Sequence, residues 1–255
     1  MVRFTGKGAT VLLMAVLSIG SVGSAATVSD EFALANSLYE QKEYEAAIET
    51  YTGIVRAKVE SAALYYNLGN AYFKHGDLGH AVLYYLKARR LNPSDEDILS
   101  NLRFARQFSR VQMEGVQLNP INSFMVSLVD PYRLDTLAWL SSAIFAVLII
   151  SLILRLGLGI VGTGLRAAIT GILIVLVVSV SLTTFKYRHD YLTQRGVIIA
   201  EEAPVFTGPS DQSDIELQGA PGVVFEILSE TDDYYNVLFE NKRRGWVDKQ
   251  LVAEI

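Results

Sequence analysis

The stretch LDTLAWLSSAIFAVLIISLILRLGLGIVGTGLRAAITGILIVLVVSVSLTTF, residues 134–185, sorts the rest of the chain. It holds two long apolar runs on either side of a glycine-rich interruption that carries Arg155 and Arg166. As a single helix it would reach roughly 78 Å at about 1.5 Å per residue, whereas a bilayer's hydrocarbon core is about 30 Å thick and needs about 20 residues. Two passes fit instead, residues 134–154 and 167–185. An arginine at mid-membrane costs about 3 kcal/mol, which places Arg155 and Arg166 in a turn over residues 155–166. The hairpin brings the chain back to its starting side, so the segments before and after it share one compartment. The soluble alternative, a buried helical hairpin, is disfavoured because core helices rarely run this long without a polar face. Gly157, Gly159 and Gly162 form a formal G-x-G-x-x-G. The strand, amphipathic helix and acidic partner that a dinucleotide site needs are missing, so these glycines read as the hairpin's tight turn.

Outward from the hairpin, 255 residues leave room for two modest domains. The net charge of −5 offers no basic stripe for a phosphate backbone, so no nucleic-acid partner is expected. The chain has no cysteine, which removes disulfides, CxxC zinc sites and a thiol nucleophile. Residues 1–26 begin with Arg3 and Lys7, continue through an apolar run and end in small residues around Ser24, Ala25 and Ala26. That is the layout of a secretory signal peptide, with an uncleaved anchor as the alternative. Either form delivers the adjoining repeat region across the membrane. The expected topology is therefore a cytoplasmic 155–166 loop with both soluble domains in the periplasm of a bacterial inner membrane.

From Ser61 the chain reads SAALYYNLGNAYFKHGDLGHAVLYYLKARRLNPSD. Tyr65, Leu68, Gly69, Tyr72, Ala81, Tyr85 and Pro93 fall at the offsets of a 34-residue helix-turn-helix template, and Ala88 at its small position. Gly69 and Ala81 are expected to let the two helices approach while Tyr72 and Tyr85 fill the space around them. The stretch resembles a tetratricopeptide repeat. One period earlier, Leu34, Ala35, Ala47 and Tyr51 mark a more divergent copy. A closing helix with Ile98, Leu102, Ala105 and Phe108 at helical spacing comes after a Ser94-x-x-Asp97 capping box, giving a repeat domain over residues 28–111. In the family the first helix of each repeat lines a groove for peptides or partner helices. Carried over by position, the resemblance implies protein-binding residues Phe32, Asn36 and Tyr39, then Tyr66, Asn70, Phe73 and Lys74. A solvated helix face is the plainer alternative. Phe32 and Tyr66 stand where repeats that grip a terminal carboxylate carry lysine, which argues against that ligand class.

Residues 112–133 form a connector with turn signals at Asn119-Pro120 and Asp130-Pro131, and its apolar middle reads as an interfacial segment or a plain linker. Beyond the hairpin, about five short β-type runs separated by Gly, Pro and Ser clusters predict a small barrel over residues 196–255. The Gly208-Pro209-Ser210 turn, the strands around Phe225 and Tyr234, and Gly245-Trp246-Val247 resemble a bacterial SH3-like domain. That resemblance implies binding to peptides, to peptidoglycan or to a neighbouring domain. Trp246 is expected in its core rather than in a groove wall.

His75, His80 and His189 are isolated, with no second histidine at the spacing of a metal site, and no nucleophile stands beside a base. No catalytic residue, metal or cofactor is expected. The fold class is thus a multi-domain membrane protein with an all-α repeat domain, a two-helix transmembrane hairpin and a small all-β barrel. The order of leader, repeats, two spans and barrel resembles the BatE-type proteins of the bacterial aerotolerance operon. That resemblance implies a non-enzymatic scaffold acting with inner-membrane von Willebrand factor A proteins and a MoxR-type ATPase. A wall-associated sensor whose barrel binds peptidoglycan is the second reading.

Overall fold

The computed structural model describes residues 22–108, 120–157 and 162–255. The 34-residue period becomes five helices: α1 Val22–Glu40, α2 Tyr44–Arg56, α3 Ala62–His75, α4 Leu78–Leu91 and α5 Glu96–Phe108. Local chemistry sets these ends. Ser61 caps α3 by accepting from the Leu64 N–H at 3.0 Å, and Asp77 caps α4 by accepting from the His80 N–H at 3.0 Å. Gly76 closes α3 in the left-handed region at φ 98°. One period earlier Lys42 makes the equivalent turn at φ 67°, where a side chain carries strain that glycine lacks. The cap of α5 is Asp95, not the expected Ser94: Asp95 Oδ1 accepts from the N–H groups of Asp97 and Ile98 at 3.1 and 3.2 Å.

Gly69 does what its place in the pattern predicts. A Cβ there would lie 2.8 Å from the Tyr85 ring and 3.3 Å from the Ala81 carbonyl, so only glycine admits this approach of α3 to α4. Leu34 and Leu68 are one period apart yet differ: Leu68 is fully buried and Leu34 is 54% exposed. Leu68 shares a core with Ala47, Tyr51 and Ile54 of the preceding α2, whereas no described residue stands before α1 to cover Leu34. Phe108 also departs from expectation. Ile98, Leu102 and Ala105 are buried on α5, but Phe108 is 54% exposed.

The expected leader falls mostly on residues 1–21, outside the described residues, and its boundary at Ala26 lies inside α1. Within the connector, helix α6 spans Pro120–Val129. The two apolar runs form helices α7, Leu134–Leu156, and α8, Thr163–Tyr187, both longer than the runs alone. Arg155 and Arg166 therefore sit in the terminal turns of helices rather than in the connecting loop. At about 1.5 Å per residue either helix exceeds a bilayer's core of about 30 Å, so both are long and apolar enough to cross a membrane. Most side chains of the pair point outward, Phe145, Ile150, Ile174 and Val178 among them. The helices are joined by hydroxyls: Ser141 Oγ lies 2.8 Å from Ser179 Oγ and 3.1 Å from Thr183 Oγ1.

A π-helical turn, Arg188–Leu192, leads from α8 into the β domain. Its strands are β1 Arg195–Ile198, β2 Ala203–Phe206, β3 Ile215–Gly219, β4 Val224–Glu230, β5 Tyr234–Phe239, β6 Arg244–Asp248 and β7 Val252–Glu254. They form one antiparallel sheet in the order β3-β2-β6-β5-β4-β1-β7. The sheet curls on itself, because Ala203 and Val205 near one end share a core with Ile198 and Val252 near the other. Gly219 of β3 likewise abuts the side chain of Ile198 in β1.

The β domain is packed against the repeats. Val197 of β1 is fully buried in a cluster with Ala81, Val82 and Leu86 of α4 and Leu102 and Ala105 of α5, flanked by Val224, Ala253 and Ile255. Gly79 makes the closest approach: a Cβ there would lie 2.5 Å from Ile199 Cα and 2.7 Å from its carbonyl oxygen. At the end of α8, Lys186 is 3% exposed and reaches Asp190 at 2.9 Å and Asp130 at 3.7 Å, and Asp130 is also 3.7 Å from Arg89 of α4. The repeats, the α6–α7 turn and the end of α8 thus meet at one charged joint.

Candidate functional site

The first helices of the repeats, α1 and α3, carry all seven groove candidates. Phe32 and Tyr66, one period apart, lean on Tyr51 and Tyr85 at centroid distances of 5.9 and 6.1 Å. Tyr39 packs at 5.5 Å on Tyr44, and its period mate Phe73 faces α5. Lys74 is exposed at the end of α3. The shared face is partly open and rich in aromatic rings.

Asn36 and Asn70 have a structural task that the spacing alone did not reveal. Asn36 Oδ1 accepts from the Tyr51 hydroxyl at 2.5 Å and from Asn67 Nδ2 at 2.9 Å. Asn70 Oδ1 accepts from the Tyr85 hydroxyl at 2.7 Å and from Asn101 Nδ2 at 2.9 Å. All three members of the second set lie one 34-residue period after those of the first. Each clasp ties the first helix of a repeat to its own second helix and to the first helix of the next unit. Among the described residues no second helix completes the unit begun by α5, and there Phe104 occupies the position that Asn70 holds one period before. Burial pushes the Tyr51 hydroxyl up to about 12 and that of Tyr85 higher still, so both phenols stay protonated donors. With both lone pairs of each Oδ1 taken, the asparagines can offer a ligand only Nδ2, for which no acceptor stands among the described residues. They are therefore suited to donating to a peptide carbonyl and not to accepting from a peptide N–H.

Beside them lies a feature absent from the expected site. Phe73, Phe104 and Phe108 form an aromatic triad with centroids 5.1 to 5.9 Å apart, and Phe104 and Phe108 are about half exposed. Phe108 had the helical spacing of a core position. The signal that could have relocated it is the period itself, since Phe104 and Phe108 stand 34 residues after Asn70 and Lys74, both on the groove face.

Residues 32–96 match the family model for the tetratricopeptide repeat. Residues 200–254 match that for the bacterial SH3 domain. The two matches lie on either side of the α7–α8 hairpin. No curated protein matches the chain.

The β domain offers a second, smaller surface. Trp246 is not in the core, contrary to expectation: on β6 the residues facing inward are Gly245 and Val247, and Trp246 alternates to the other face, half-buried. It pairs with Phe206 on β2 and Asn236 on β5, and Phe206 meets Tyr234 edge-on at 6.3 Å. Among the described residues no group of three or more histidine, aspartate or glutamate side chains is placed to hold a metal ion. His80 is engaged by Asp77, with its Nδ1 2.7 Å from Oδ2.

Proposed function

We propose that the chain is a non-enzymatic, membrane-anchored scaffold that binds partner proteins along the first-helix face of its repeats. The observation that carries this reading is the aromatic triad Phe73, Phe104 and Phe108, with Phe104 and Phe108 about half exposed, beside a first-helix face that also carries Tyr66, Asn36 and Asn70. Clustered aromatic rings beside unused donors form a surface suited to an extended peptide or an amphipathic helix. The finer reading places both soluble domains in the bacterial periplasm, in an aerotolerance or envelope-stress complex with inner-membrane von Willebrand factor A proteins. Its support is the leader-like N-terminus and the BatE-like order of elements.

The test is photo-crosslinking in intact membranes from a probe at Phe104, with identification of the captured proteins. Discrete partners should be captured and then lost on Phe73→Ser with Phe104→Ser. An unchanged set of captured proteins would remove the groove from the account. Asn36→Ala and Asn70→Ala are poor probes of binding, because both changes break clasps of the fold.

A second reading, supported by the Trp246, Phe206 and Tyr234 face, is peptidoglycan binding by the β domain. Isolating that domain would bare Val197 and Ile255, so the whole protein in mild detergent is the proper reagent. Sedimentation with purified sacculi, abolished by Trp246→Ala, would favour this reading.

A further inference from the structure

At the junction of α4, α5, the α6–α7 turn, the end of α8 and the sheet lies a cavity of about 1030 Å³. Seven cationic side chains and five carboxylates line it, an excess of positive charge in a protein that is acidic overall. Two of the carboxylates, Asp130 and Asp190, are already engaged by Arg89 and Lys186. Arg195 donates to the His189 carbonyl, and Arg106 has no carboxylate within ion-pair distance among the described residues. Burial depresses the guanidinium pKa of Arg195, with Asp190 offsetting part of this and Arg89 adding repulsion. Arg89, Arg106 and Arg195 thus line one space in which cationic side chains outnumber carboxylates.

The position of the cavity specifies the kind of anion. Leu134, the first residue of α7, and Phe185, in the last turns of α8, belong to its wall, with Val126 of α6 beside them. The site opens where both long apolar helices begin and end, at the boundary between hydrocarbon and water. We propose that this cavity binds the headgroup of an anionic phospholipid, its phosphate held by Arg89, Arg106 and Arg195 and its acyl chains running down α7 and α8. Arginine forks match phosphate oxygens in pairs, and a basic pocket at the end of a span gains further from the lipid's fixed location. The inference rests on α7 and α8 crossing the bilayer.

The test is native mass spectrometry of the full-length protein released from membranes in mild detergent. Phosphatidylglycerol or cardiolipin should remain bound, enriched over bulk lipid, with retention falling about ten-fold or more in Arg106→Gln combined with Arg195→Gln. Arg106→Gln alone, on the exposed side of α5, should show a smaller loss in the same direction, and this variant guards against misfolding at Arg195. Retained lipid with the headgroup composition of the bulk membrane, or equal retention by the variants, would overturn the proposal. In delipidated protein, inorganic phosphate that binds as tightly as added phosphatidylglycerol would replace the lipid with a free anion and refute the assigned source. Release of the protein by alkaline carbonate without detergent would instead refute the spans, a different failure with its own readout.

Discussion

Asn70 shows how a polar side chain at a groove edge can belong to the fold. Its Oδ1 satisfies Tyr85, whose hydroxyl is otherwise buried in the repeat core. Asn70→Ala should cost about 1–3 kcal/mol in chemical denaturation by leaving that hydroxyl unpaired, whereas adding Tyr85→Phe should recover part of the loss. Additive effects in that double-mutant cycle would contradict the clasp. Asp77 carries a pH signature. Burial alone would raise its carboxyl pKa, but the His80 side chain and backbone N–H more than offset this and hold it below the usual range. A carboxylate with a depressed folded pKa contributes stability that is present above its unfolded value of about 3.9 and is lost as pH falls through the folded value. Melting curves of Asp77→Asn should therefore lose part of the acid dependence while the cap acceptor is kept, and Asp77→Ala should cost about 1 kcal/mol at neutral pH. Residue roles are legible in the sequence where one atom or its absence decides packing, as at Gly69. They are not legible where a side chain can point either way, as at Phe108 and Trp246.

Among the elements, α4 carries the most, since it packs on α3 and α5 and receives β1. Gly79 permits that last contact, and a methyl group there would meet the backbone of Ile199. Gly79→Ala should loosen the sheet from the repeats at a cost of about 1–3 kcal/mol. Faster hydrogen exchange in β1 and β7 with unchanged protection in α3 is the expected pattern; equal loss in both would mean that the helix pair itself had failed. Most elements are legible from pattern alone, because the helices have a strict period and the central strands strong β-formers between turns. Two strands escape that pattern for physical reasons. β3 exposes Ile215 and is interleaved with Glu216 and Gln218, and β7 is three residues long, so neither buries enough to leave a hydrophobic signature. The two long apolar helices are legible as well, but they run on through Arg155 and Arg166, since a charge that must leave the apolar core need not leave the helix.

At the scale of the whole molecule, the sequence allows three modules in a row, and the structure adds that they are not beads on a string. Contacts between modules leave little trace in a single sequence, because Val197 and Ala253 look like ordinary alternating strand residues. Lys186 is the most exacting member of the joint, nearly enclosed between two part-exposed acids. Lys186→Met should destabilise the joint by about 1–3 kcal/mol, less than for a fully buried pair because water still reaches Asp130. Hydrogen exchange in α6 should rise while the β domain's own core stays protected. Unchanged exchange in α6 would show that the ion pairs do not hold the hairpin to the rest.

That fastening fixes where the aromatic face of the repeats can be. A module on a loose tether samples a hemisphere of solution, whereas one secured at its base keeps a single height above the end of the hairpin. If the hairpin crosses a bilayer as proposed, whatever docks on Phe73 and Phe104 must bring its own segment to that height, a condition met more readily by proteins rooted in the same bilayer than by ones that drift past.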